Sequence, residues 1–117
     1  NVLYQAEAHI IDRIALHLTE HPEITALFAF QYPLAVAADQ AARRIGRTTG
    51  KDLSILCFDS PLPLFGRPQF THLHQDEAAI GEKAVEILLE LISHPVQAPQ
   101  NVKIPAKLVE GESFFTL

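Results

Sequence analysis

Residues 24–46 read ITALFAFQYPLAVAADQAARRIG, and the change of hydrophobic period inside this stretch decides the fold. Ile24 to Phe30 is short and almost continuously apolar, the pattern of a strand buried on both faces of a parallel sheet. Gln31 and Tyr32 interrupt it. Pro33 then stands where the first turn of a helix tolerates a missing N–H. Leu34, Ala38, Ala41 and Ile45 line one side of the helix that follows, and Gly46 supplies its stop. A strand feeding directly into a helix is the unit of an α/β sheet.

The same grammar extends outward. Upstream, Ile10, Ile14 and Leu18 recur every fourth position between Ala6 and Glu20, predicting a one-faced helix that ends at His21 and Pro22. Downstream, Leu53 to Phe58 predicts a second buried strand. It runs into Asp59, Ser60 and a proline-rich loop reaching Pro68. Phe70 to His74 fits a short third strand, and Asp76 an N-cap for a helix carrying Ile80, Ala84, Ile87, Leu88 and Leu91 up to Pro95. Val102 to Val109 is β-compatible around Pro105, which demotes it to an edge or broken strand, and Gly111 to Leu117 reads as a tail. The expected fold class is α/β, three layers α/β/α with a mainly parallel sheet.

Size and charge narrow the function. A chain of 117 residues, 48% apolar, holds one core of modest size. It contains no methionine, so it is expected to be a fragment of a longer polypeptide. No apolar run approaches the roughly 18 residues of a membrane span, so no membrane partner is expected. A formal charge of −5 has the wrong sign for gripping a phosphate backbone; any DNA contact must come from another segment. The single Cys57 excludes an internal disulfide and favours a reducing, cytoplasmic setting.

Ligands of open α/β sheets collect outside the carboxyl ends of the strands. Gln31 and Tyr32 follow the first strand, Asp59 and Ser60 the second. An amide, a phenol, a carboxylate and a hydroxyl on one edge suit a neutral polyhydroxylated ligand, although the same residues also serve as turn caps and solvated surface. His72 and His74 share a strand face but lack a third ligand at any diagnostic spacing, so no metal is expected. Cys57 lies inside an apolar strand, as a small buried hydrophobe. No GxSxG, phosphate-binding loop or dinucleotide fingerprint occurs, so neither a cofactor nor an enzyme activity is expected. The loop from Pro61 to Pro68 sets Leu62, Leu64 and Phe65 among prolines. Beside the alanine-rich helix such an apolar loop serves as core cover or, the reading favoured, as a subunit contact through Leu34, Ala38, Ala41, Leu64 and Phe65.

Four segments together resemble the lactose-repressor/galactose-repressor family of transcriptional regulators. ITALFAFQYPLAVAADQAARRIG is similar to its strand ending in Asn-Asp before a helix, and KDLSILCFDS (51–60) to its strand ending in Gly-Phe-Asp-Asp. FTHLHQDEAAIGEKAVEILLELI (70–92) resembles its Thr-Thr-X-X-Gln segment, and LVEGES (108–113) its closing Leu-Val-X-Arg-Glu-Ser. The resemblance implies the C-terminal lobe of a two-lobed, periplasmic-binding-protein-like domain. It senses a sugar or similar small effector between the lobes and works as a homodimer that reaches operator DNA through a headpiece outside residues 1–117. The tail from about residue 102 would cross to the other lobe. By this resemblance Asp59 matches the ligand-binding aspartate, Gln31 stands for the usual asparagine, Gln75 matches the glutamine near the crossover, and Tyr4 lies near a stacking aromatic. Tyr32, Cys57, Ser60 and Gly111 depart from the family pattern. Two rivals are a solute-binding protein for transport and a small hydrolase or metalloenzyme using Asp59 with His72 and His74.

Overall fold

The computed structural model describes residues 2–96 and 98–115, with side chains from Glu7 onward. Its elements run α1 (Val2–Glu20), β1 (Ala26–Ala29), α2 (Tyr32–Arg44), β2 (Ser54–Phe58), β3 (Thr71–His74), α3 (Glu77–Ser93) and β4 (Lys107–Val109). The strands form one sheet in the order β1-β2-β3-β4, with β1 parallel to β2 and β2 parallel to β3. Ala29 lies opposite Cys57, and Phe58 opposite Leu73. The α/β class and the parallel core of the sheet follow the sequence reading.

Residues 1–74 and 108–117 form one compact unit, and residues 75–107 a second. In the first, α1 and α2 share one face of the sheet. Leu18, Ala35, Ala38, Ala42, Leu53, Ile55, Cys57 and Phe70 form its core, with Ile14, Leu27 and Ala29 packed against it. Alternation along the strands puts Phe28 and Phe58 on the opposite face, their rings edge to face at 5.5 Å. The exposed ion pair Arg44–Asp12 at 2.6 Å joins α2 to α1. Such pairs contribute at most about 1 kcal/mol, so apolar burial holds the two helices.

Two expectations change here. β1 is not buried on both faces: it lies at an edge of the sheet, and Phe28 is 49% exposed. Ala38 and Ala41 are 3% and 0% exposed inside this chain, so they cannot serve a subunit contact. The small side chain of Ala38 packs in the core with Ile55 and Cys57 of the sheet, and only Leu34 of the predicted helix contacts remains at the surface.

α2 starts where the sequence changes period. Gln31 is extended, and its carbonyl accepts the N–H groups of Leu34 and Ala35 at 3.1 and 3.2 Å. At the other end Arg47 N–H donates to Ala42 C=O at 2.9 Å and Gly46 N–H to Arg43 C=O at 3.1 Å, closing the last turn.

The segment read as a tail is a tie across the beginnings of β2 and β3. Ser113 is buried; its hydroxyl accepts Thr71 N–H at 2.9 Å and donates to Ile55 C=O, while Ile55 N–H donates to Ser113 C=O at 2.9 Å. Gly111 N–H donates to Thr71 Oγ1 at 2.9 Å. A Cβ on Gly111 would stand 2.4 Å from the Phe70 carbonyl carbon, and one on Gly50 2.3 Å from the Glu112 oxygen. Neither position has room for a side chain.

In the second unit Asp76 caps α3 as expected, its carboxylate accepting Ala79 N–H at 3.0 Å. Gln100 Nε2 donates to Glu90 Oε2 at 2.6 Å, holding the extended proline-containing segment near the helix. Residues 102–107 belong with α3, and the chain rejoins the first unit at Leu108.

Candidate functional site

Because β1, β2 and β3 are parallel, their carboxyl ends share one edge of the sheet. That edge gathers Gln31 and Tyr32 after β1, Asp59 and Ser60 after β2, and His74 at the end of β3.

Asp59 is the one non-glycine residue with positive φ, 47°, among the described residues. Aspartate tolerates this left-handed conformation better than most residues, and such backbone settings cluster where a side chain must be aimed. Its N–H donates to Leu73 C=O at 3.1 Å, which fixes the half-buried Asp59 at the end of β3, beside His74. Ser60 is buried next to it, and its hydroxyl has no hydrogen-bond partner among the described residues. A carboxylate and a hydroxyl brought together in this way can accept and donate to the hydroxyls of a ligand.

Gln31 is exposed as the N-cap of α2, and its side chain makes no capping bond. Its amide is therefore not used by the helix it precedes. Tyr32 is half-buried, its ring edge-on to Phe70 at 5.9 Å, so the apolar body of the phenol belongs to the core. Gln75 opens the second unit, where its carbonyl accepts Glu77 N–H at 3.0 Å. The side chain of Tyr4 lies outside the described residues.

The two histidines of β3 differ. His72 is fully buried opposite Cys57, its Nδ1–H donating to Phe70 C=O at 2.9 Å while Nε2 has no partner among the described residues. His74 is half-buried, its ring edge-on to that of His72 at 6.0 Å. Among the described residues no three His, Cys, Asp or Glu side chains group as metal ligands. Cys57 is buried, and burial, with the nearby charge of Asp59, pushes its thiol above the usual range. It stays protonated near neutral pH, the opposite of an activated nucleophile.

The sequence reading weighed His74 as a metal ligand and missed its place beside Asp59. The signal was available in principle: strand two runs directly into Asp59, and strand three ends in His74. Only the register, however, sets those ends side by side. Away from this edge, Leu64 and Phe65 on the proline-rich loop are 94% and 91% exposed, and Leu34 is partly exposed.

Residues 2–114 match the family model described as a periplasmic binding protein-like domain. The chain is 36% identical over 83 residues to the HTH-type transcriptional repressor PurR of Aliivibrio fischeri, covering 70% of this chain and 24% of that protein. It is 31% identical over 102 residues to the protein of the same name from Yersinia enterocolitica, covering 85% and 30%. Among solved structures it is similar to a LacI family transcriptional regulator from Arthrobacter sp. FB24, with a TM-score of 0.75 and 28% identity. That match covers 92% of this chain and 41% of the other, and the same regulator has been solved in complex with lactose. The chain thus spans a quarter to a third of the curated repressors it matches.

Proposed function

The chain belongs to the periplasmic binding protein-like domain family, in the form found in LacI-family regulators, and we propose that it is the effector-sensing and dimerising part of a bacterial transcriptional repressor. The observation that carries this reading is the edge built by Asp59, Ser60, His74 and Gln31, at the place where an open α/β sheet binds small molecules. Asp59 accepts hydrogen bonds from hydroxyls of the effector and Gln31 pairs with a neighbouring hydroxyl. Ser60 and His74 bound the floor. Gln75, Tyr32 and Tyr4 are further ligand contacts by resemblance, Tyr32 through the end of its ring that the core does not use.

A sugar or similar polyhydroxylated metabolite is the proposed effector class, in keeping with the lactose complex of the Arthrobacter regulator. Its binding shifts the population between lobe arrangements. A homodimer contact through Leu34, Leu64 and Phe65 passes that shift to a DNA-binding segment outside residues 1–117. The names of the relatives favour regulation over transport and over catalysis, and operator DNA in the cytoplasm is the proposed partner.

A thermal-shift screen of the full-length protein against sugars and nucleosides, repeated with Asp59→Asn, tests the reading. Asparagine keeps the left-handed backbone accessible while removing the charged acceptor. At least one compound should raise the melting temperature of the native protein and raise it less in the variant. Equal shifts in both proteins would remove Asp59 from the site.

A further inference from the structure

The loop that joins α2 to β2 borders a pocket away from the carboxyl ends of the strands. Asp39, Arg43, Gly46, Arg47, Thr48 and Thr49 line a cavity of about 380 Å³, the size of a site for a small metabolite. All six belong to the first unit. The pocket precedes β2, whereas Asp59 follows it.

Arg47 is fixed in place. Its Nη2 donates to Ile24 C=O and, at 2.9 Å, to Asp52 C=O, so the guanidinium spans the approaches to β1 and β2. Nη1 of the same group is buried and has no hydrogen-bond partner among the described residues, and neither has the buried Oγ1 of Thr49. Buried polar groups in folded proteins are nearly all paired, and a charged donor left unmet costs more than a neutral one. Two orphaned groups from residues of one cavity lining point to a missing partner that enters through it.

Charge and hydrogen-bonding capacity describe that partner. Asp39 is buried and engaged by Arg43, Oδ2 to Nη2 at 2.9 Å. Asp52 lies outside the lining, and its carboxylate accepts Thr48 N–H at 2.8 Å. With Asp39 offset by Arg43, the lining keeps one positive charge, that of Arg47, in a chain whose formal charge is −5. Arg47 can only donate, and the Thr49 hydroxyl donates or accepts. A group with two acceptor oxygens and one negative charge answers both, and arginine holds such a group through directed, charge-assisted bonds.

We infer that this cavity binds the carboxylate of a small organic acid. One carboxylate oxygen accepts from Arg47 Nη1 and the other from the Thr49 hydroxyl. The remainder of the molecule lies toward Arg43, whose side chain is largely exposed. This site is separate from the edge at Asp59, and the inference does not depend on the identity of the effector.

Amide NMR titration of the full-length protein with sodium acetate, at an ionic strength held constant with sodium chloride, tests it. Saturable shifts centred on residues 46–50 are expected, with half-saturation at roughly millimolar acetate, and none with the neutral analogue acetamide. Thr49→Val keeps the shape of the side chain and should raise the half-saturating concentration at least about threefold. Arg47→Lys keeps the charge but loses the planar fork and should raise it at least about tenfold. Shifts that rise without saturating, that acetamide reproduces, or that centre on Asp59 and Ser60 would overturn the inference. So would unchanged affinity in either folded variant. Phosphate binding more tightly than acetate would overturn the choice of a carboxylate.

Discussion

The two ends of the parallel strands have been put to opposite uses. Where β2 and β3 begin, polar backbone groups are met by the Gly111–Ser113 tie, and Gly50 and Gly111 stand where no larger residue fits. Where the same strands finish, Asp59 holds a left-handed backbone, the Ser60 hydroxyl is buried without a partner among the described residues, and the Gln31 side chain makes no capping bond to its helix. The closed edge satisfies its groups internally and contributes stability. At the open edge the Ser60 hydroxyl is left for something else to satisfy. A fold can hold a binding site in this state because the tie at the far end offsets its cost.

Substitutions at the two ends should therefore have opposite signatures. The largest effect belongs to Gly111→Val: its side chain meets the Phe70 and Thr71 backbone, and a loss of about 4 kcal/mol is expected in urea unfolding of the full-length protein. A stable variant would mean that the tie is not needed. Ser113→Ala removes one donor and strands the Thr71 N–H, with about 2 kcal/mol lost by the same measurement. Ser60→Ala reverses the sign, since deleting a buried hydroxyl without a partner among the described residues should stabilise the effector-free protein by up to about 1 kcal/mol while weakening effector binding. A clear loss of stability there would place Ser60 with the closed edge.

Smaller still is the effect expected at the surface loop. Phe65→Ser should leave the unfolding midpoint within about 0.5 kcal/mol, because the side chain is almost wholly exposed. It should nevertheless lower the dimer fraction in sedimentation. In the core between the two edges, the thiol of Cys57 should resist alkylation until the protein unfolds. Its folded pKa is raised, so the protonated thiol favours the folded state below the unfolded pKa, and this contribution fades as pH rises past it.

The legibility of the chain follows the range of the interactions involved. Local signals sufficed for the element order, for the Asp76 cap, for the end of α2 at Gly46 and for the broken strand beyond Pro105, because each is written within a few residues. Asp59, Ser60 and Gln31 were legible as a group because strand ends in a parallel sheet share an edge. Periodicity could not tell that Ala38 and Ala41 face the core, since a stripe of alanines fits a sheet or a partner equally well. Nor could it show that Ser113, 58 residues from Ile55, bonds to it. The edge position of β1 escaped for a similar reason: a short, continuously apolar run reads the same at the edge of a sheet as in its interior.

Isothermal titration of the full-length protein with the effector found by thermal shift bears most directly on the open edge as the sensing site. Asp59→Asn should weaken binding at least tenfold, about 1.4 kcal/mol, with the unfolding midpoint nearly unchanged. Binding of native strength in a folded Asp59→Asn protein would contradict it.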